Sequence, residues 1–106
     1  MAVINMTVLQ FKPGRWEEGV ASIKAGNELI RKHGGENVSA MVTMMAGPAT
    51  GTVSTLWTTE DYASYGKIFN AVMNDPETQA LIASSMGPDG ATVSFHTYVS
   101  QTIPDV

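Results

Sequence analysis

The segment Gly51-Thr-Val-Ser-Thr-Leu-Trp57-Thr-Thr-Glu-Asp-Tyr62 constrains this chain most, because a strand pattern passes into a helix pattern there with almost nothing between. Val53, Thr55 and Trp57 alternate with Ser54 and Leu56, the period-2 pattern of a half-buried strand. Thr58-Thr59-Glu60-Asp61 then supplies what a helix start needs. A threonine hydroxyl can accept from an orphan backbone N–H, and acids stand where the helix dipole is positive. The chain before and after this segment repeats the same alternation of strand and helix.

Val3 to Phe11 reads as a first strand, with Ile4, Met6 and Val8 on one face and Asn5, Thr7 and Leu9 on the other. Lys12-Pro13-Gly14 ends it. From Arg15 or Trp16 to about His33 the pattern is helical, and Trp16, Val20, Ile23, Asn27 and Ile30 form one buried stripe. Glu17 and Glu18 open this helix; Arg31, Lys32 and His33 close it, matching the dipole at both ends. Gly34-Gly35 is a left-handed cap. Asn37 to Ala46 reads as a second strand, and Gly47 to Gly51 as a hairpin-sized connection. A second helical region runs from about Glu60 to Met86, with a restart at Asp75-Pro76-Glu77: Asp75 as N-cap, Pro76 in the first helical position. Gly87-Pro88-Asp89-Gly90 is a turn, and Ala91 to Ile103 a last strand with Val93, Phe95 and Val99 opposite Ser94, His96 and Tyr98.

The order is strand, helix, strand, strand, helix, strand. Two right-handed crossovers around a four-stranded antiparallel sheet give a ferredoxin-like α+β fold with helices on one face, spanning residues 1–106 as a single domain. The other face carries apolar or uncharged residues too, so a second copy pairing across a two-fold axis is expected to cover it. A charged content of 15% against 43% apolar agrees with a surface hidden in an oligomer.

Other classes are excluded by what the chain lacks. The net charge is −4 and the close basic pairs, Lys12 with Arg15 and Arg31 with Lys32, read as solvated, so no nucleic-acid surface is expected. The absence of cysteine removes thiolate catalysis and zinc–sulfur sites, and two distant histidines make no metal-ligand spacing. No apolar run approaches bilayer length and no basic region precedes an apolar one, so a cytoplasmic protein without membrane contact is expected.

Gln10-Phe11-Lys12-Pro13-Gly14-Arg15, Leu56-Trp57-Thr58-Thr59-Glu60-Asp61-Tyr62 and Asn74-Asp75-Pro76-Glu77 carry a resemblance to the dimeric α+β barrel superfamily over nearly the whole chain. That superfamily includes antibiotic-biosynthesis monooxygenases, EthD-like and NIPSNAP-type proteins, and haem-degrading monooxygenases. The resemblance implies a homodimeric barrel. Haem-degrading members pair an asparagine on the first strand with a tryptophan and a histidine from the second helical region; Asn5 matches the first, but Glu60 to Met86 contains neither of the others. Haem degradation is therefore disfavoured. Members that form quinones work without metal or flavin, and no cofactor is expected here.

Among the candidate site residues His96 stands foremost, mid-strand beside Ser94 and Tyr98, because histidine alone titrates near neutrality unaided. Its plain alternative is a histidine held in a dimer interface or on a solvated strand. Tyr98 could orient a bound carbonyl, or pack as an amphipathic interface residue. Asn5, a polar residue on an apolar strand, needs partners if buried and so either caps a network or faces a ligand. Trp57 and Tyr65 could wall an aromatic pocket, or simply fill the core. Met41, Met44, Met45 and Met73 offer an adaptable apolar lining, with core filling as the alternative. Alternation alone leaves open which sheet face His96 takes. The functional expectation is a homodimer that binds a small apolar or aromatic molecule between sheet and helices. As an enzyme it would be a cofactor-independent monooxygenase or isomerase, with Asn5 and His96 catalytic and Tyr98, Trp57 and Tyr65 binding the ligand. The alternative is a non-catalytic domain for ligand binding or self-association.

Overall fold

Alternating and helical segments resolve, in the computed structural model, into eight elements. It describes residues 2–106; Met1 lies outside them. The order is β1 (Val3–Phe11), α1 (Trp16–Lys32), β2 (Glu36–Val42), a short 3-10 turn (Gly47–Ala49), β3 (Val53–Thr59), α2 (Tyr62–Met73), α3 (Pro76–Met86) and β4 (Thr92–Gln101). The four strands make one antiparallel sheet ordered β2-β3-β1-β4, the ferredoxin-like α+β arrangement.

The helix ends show how local chemistry sets the boundaries. α1 carries Glu17 and Glu18 in its first turn and Arg31 and Lys32 in its last. It stops where Gly34 turns to φ +102°, a conformation costly for any residue with a Cβ. α2 is capped by Asp61 rather than by a threonine: Asp61 Oδ1 accepts from the Ser64 N–H at 2.8 Å. Thr59 remains in β3, and its hydroxyl donates to the Asp61 carbonyl at 2.9 Å. α3 restarts at Pro76 behind Asp75, whose Oδ1 accepts from the Glu77 N–H at 2.9 Å.

β2 ends at Val42, four residues short of the expected Ala46, and Met44 and Met45 project into solvent at 76% and 92% exposure. Within β2, Asn37 takes φ +50° and its Nδ2 donates to Thr58 Oγ1 at 2.8 Å, which accommodates the register shift between Glu36 and Ser39. The expected α1 stripe also begins later than its periodicity suggested. Trp16 and Val20 are 48% and 41% exposed, whereas Gly19, Ile23, Asn27 and Leu29 are buried. The cause is Phe11. A Cβ on Gly19 would lie 2.5 Å from Phe11 Cδ2, so α1 approaches β1 through its glycine, and Trp16 is left against the edge of the Phe11 ring.

The basic pairs are engaged, not simply solvated. Lys12 Nζ and Arg15 Nη2 donate to the carbonyls of Pro88 and Asp89, tying the β1–α1 turn to the α3–β4 turn. Arg31 donates to the Val38 carbonyl, and Lys32 pairs with Asp75.

Register assigns the sheet faces. Asn5 lies opposite Trp57 on β3 and Val99 on β4, and Thr7 lies opposite Thr55 and Thr97. This is the face the helices cover, with Val3, Trp57 and Tyr65 at its centre and Ile30, Val38 and Ile68 packed around them. On the other face Met6 lies opposite Leu56 and Tyr98, and Val8 opposite Ser54 and His96. Among the described residues no helix is long and apolar enough to cross a membrane.

Candidate functional site

Between the covered face and α1, α2 and α3 the packing is incomplete, and a cavity of about 430 Å³ remains. Its floor is built from β1, β3 and β4: Asn5, Thr7, Trp57, Phe95, Thr97 and Val99. Its roof comes from all three helices, through residues such as Ile30, Tyr65, Phe69, Thr78, Leu81 and Ile82. Phe69, Met73, Ile82, Phe95 and Val99 are all between 37% and 49% exposed, so the cavity opens between the α2–α3 layer and the edge strand β4.

The deep end is ordered by aromatic stacking and one buried hydrogen bond. The Trp57 and Tyr65 rings stack at 5.1 Å with 17° between planes, and Phe69 continues the stack from Tyr65 at 5.8 Å. Trp57 owes its position partly to Gly35, where a Cβ would run into Ile30 and lie 3.3 Å from Trp57 Cε3. Tyr65 donates its hydroxyl to Asn5 Oδ1 at 2.8 Å. Burial pushes the Tyr65 phenol above its ordinary value of 10, with neighbouring Tyr62 adding to the effect, so at neutral pH it is a proton-bearing donor. From Asn5 a polar line crosses the floor. Its Nδ2 reaches Thr7 Oγ1 at 3.5 Å, and Thr7 Oγ1 pairs with Thr97 Oγ1 at 3.0 Å.

Among the described residues no charged side chain lines this cavity, and its polar groups come from Asn5, Thr7, Tyr65, Thr78 and Thr97 and from the indole N–H of Trp57. An arrangement of this kind holds a neutral, largely apolar molecule by shape and stacking, with a few hydrogen-bonding groups to orient it. Among the described residues no cluster of three or more His, Cys, Asp or Glu is placed to hold a metal ion. A larger groove of about 610 Å³ runs outside, between α1 and α3, but it mixes Glu28, Lys32 and Glu77 with small apolar residues on the outer surface.

Outside the cavity, a charged brace fixes the start of α3. Asp75 Oδ2 meets His33 Nε2 at 2.8 Å and Lys32 Nζ at 3.0 Å. Those two hydrogen bonds, His33 first, together with the Glu77 N–H, hold the Asp75 carboxyl far below the usual carboxylate range. His33 is thus a partner of Asp75, beyond its expected role as a helix C-terminal cation. The brace sets where α3 begins, and with it the position of Thr78 within the roof.

Of the five residues singled out from the sequence, the structure brings Asn5, Trp57 and Tyr65 together. It separates His96 and Tyr98 from them: both stand on the opposite face of the sheet, where Tyr98 is 52% exposed. The expected grouping of His96 with Asn5 is thereby corrected. The reason is the pleat: odd-numbered residues of β1 share their face with odd-numbered residues of β4. Of the four methionines proposed as lining, Met73 lines the cavity and Met41, Met44 and Met45 do not. Sequence reasoning passed over Thr7, Thr97 and Thr78. The first two carried a signal: Thr7 continues the polar row begun by Asn5 on an otherwise apolar strand, and Thr97 is an uncharged polar residue between Phe95 and Val99. Thr78 carried none.

No protein-family model matches the sequence, and no curated protein matches it either. Solved structures do. An uncharacterised NIPSNAP-like domain protein from Burkholderia xenovorans superposes with a TM-score of 0.76 at 15% identity, covering 99% of this chain and 88% of that one. A NIPSNAP family protein from Agrobacterium tumefaciens gives 0.78 at 12% identity over 99% and 96% of the two chains. A protein from Bacteroides thetaiotaomicron, assigned as an antibiotic biosynthesis monooxygenase, gives 0.68 at 16% identity over 99% and 93%. At these identities the likeness is one of fold alone, the ferredoxin-like α+β arrangement that these NIPSNAP-type and antibiotic biosynthesis monooxygenase-type structures share with this chain.

Proposed function

We propose that this chain is a small-molecule-binding protein that works as a homodimer and holds an apolar or aromatic ligand in the cavity between sheet and helices. The observation that carries this reading is the uncharged, aromatic-walled cavity of about 430 Å³ with the Asn5–Tyr65 pair at its deep end. A volume of that size suits a small organic molecule. The homodimer is supported by the open sheet face. Its central rows, Leu56–Met6–Tyr98 and Ser54–Val8–His96, contain no Lys, Arg, Asp or Glu. The molecule is a slab 16 Å thick in its thinnest direction, with helices on one side. Sheet-to-sheet pairing with a second copy would bury that surface and place His96 and Tyr98 in the seam.

Catalysis, in this reading, would be a cofactor-independent oxygenation or isomerisation in which the ligand supplies the reactive centre. Asn5 and Tyr65 would orient a ligand oxygen, and Trp57 and Phe69 would exclude water. A non-catalytic role in ligand carriage is favoured by one observation: neither histidine lines the cavity, so no group that titrates near neutrality faces the ligand. Native mass spectrometry of the gently purified protein, followed by denaturation and identification of what is released, tests the common core of both readings. A dimer carrying one apolar molecule per protomer is expected. A monomer would overturn the sheet-pairing reading. Failure to take up any of a panel of neutral aromatic compounds would overturn the cavity reading. Turnover of a bound compound, lost in Asn5→Ala, would decide for catalysis.

A further inference from the structure

Beyond Thr7 the space under the helices continues into a second, smaller chamber of about 140 Å³, between α1, α3 and the sheet. The two spaces share Thr7, Gly26, Ile30, Leu81, Ile82 and Met86, and Thr7 stands between them along β1: Asn5 lines the main cavity, Leu9 and Phe11 the chamber. Two chamber walls are polar where packing alone would favour apolar groups. Asn27 follows Ile23 by one turn of α1 and precedes Ile30 in the same lining, and Thr55 lies opposite Thr7 on the covered face. Both residues are at least nine-tenths buried, and no hydrogen bond joins either side chain to another described residue. Unlike the Thr78 hydroxyl, their polar atoms are not sealed off. Neither residue lines the main cavity or the outer groove, so the space those atoms reach is the chamber. Neighbouring hydroxyls are already engaged, Ser85 with the Leu81 carbonyl and Thr7 with Thr97. Gly26 keeps the junction open. A Cβ there would lie 3.7 Å from Leu81 Cδ2, an ordinary contact, and alanine would suit the middle of α1 better. The glycine therefore relieves no clash; what it leaves is room where the two spaces meet.

We propose that this chamber is a subsite for the uncharged polar end group of an elongated ligand, of the carboxamide kind, whose apolar body lies in the main cavity. This deepens the small-molecule reading above and rests on it. The Asn27 amide both donates and accepts, and the Thr55 hydroxyl can do either, so a group that itself does both is matched best. Among the described residues no charged side chain lines the chamber, and an ionised carboxylate or ammonium would enter it without a counter-charge. The strand sets the length: from Asn5 to Leu9 is about 13 Å at the ordinary rise per residue, the reach of two rings and a substituent.

The test uses two probes of similar shape, biphenyl-4-carboxamide and 4-isopropylbiphenyl. Dissociation constants are measured by fluorescence titration for the wild type, Asn27→Leu and Thr55→Val. The ratio of isopropylbiphenyl to carboxamide dissociation constants should fall about tenfold in Asn27→Leu, the worth of one neutral hydrogen bond, and about threefold in Thr55→Val. Thr55→Val keeps the side-chain shape and decides the matter if Asn27→Leu does not fold by circular dichroism. If both probes bind and the ratio is unchanged in the folded variants, the cavity reading stands and the subsite is overturned. Binding of the apolar probe alone has the same meaning. If neither probe binds the wild type, the cavity reading fails and this inference with it.

Discussion

The two faces of the sheet are woven from the same strands, and in β1 they differ by a single step of the chain. Val3, Asn5 and Thr7 point one way; Ile4, Met6 and Val8 point the other. On the first face the helices arrive, Val3 falls to 1% exposure, and Asn5 is forced to find a partner in Tyr65. On the second no helix arrives, and Tyr98 keeps half its surface in water. A polar residue therefore means different things on the two faces. On the covered face it must be satisfied and so reports a network or a ligand; on the open face it can be satisfied by solvent or by another copy.

This contrast can be broken most sharply at Trp57, which is 3% exposed and stacked on Tyr65. Trp57→Ala should cost about 3–5 kcal/mol of stability by urea denaturation, as removal of a buried aromatic does. Next comes Tyr65→Phe, which keeps the stacking and leaves Asn5 Oδ1 without its donor. A loss of about 1–3 kcal/mol is expected, with the fold retained by circular dichroism. Asp75→Asn probes the brace that positions α3. Asparagine preserves the cap, so the effect at neutral pH should be smaller than those two. Its pH dependence is diagnostic. The Asp75 carboxyl is held below its unfolded value of about 4, so its contribution is fully present above that value and is lost as pH falls from about 4 toward the folded pKa. Thermal midpoints of wild type and Asp75→Asn should therefore converge as pH drops below 4. The smallest effect belongs to the open face: His96→Ala should change the stability of one protomer by no more than about 0.5 kcal/mol. A loss there as large as that of Tyr65→Phe would mean that the two faces are not as different as the register makes them. Sedimentation of the same variant would show whether the change instead weakens self-association.

The architecture was legible because its signals are local. The Asp75-Pro76 restart, the glycines after α1 and the alternation through Val53, Thr55 and Trp57 each act within a few residues. The β1 faces agree with the register, and Trp57 and Tyr65 stack on one another, a placement open both to core filling and to walling a pocket. Strand facing relative to the helices was not legible, because period 2 assigns two faces without saying which the helices choose, and His96 fell on the wrong one for a shared site. The α1 stripe was misread at Trp16 and Val20 for a related reason: a glycine, invisible to hydrophobic periodicity, made the contact with Phe11. Thr78 was beyond reach, since an orphaned hydroxyl is defined by what three helices and a sheet fail to place beside it.

The pairing of Thr7 with Thr97 joins residues 90 apart in the chain. The rung in the middle of the cavity floor is thus among the most non-local contacts of the molecule, and contacts of that kind are made late and slowly. Until β4 docks along β1 there is no floor for a ligand to lie on, whatever α1, α2 and β3 have already built. A compound that binds in this cavity therefore selects the completed sheet from the whole folding ensemble. By mass action it draws the chain toward that state, and its binding should slow the opening of β4 more than that of any other strand.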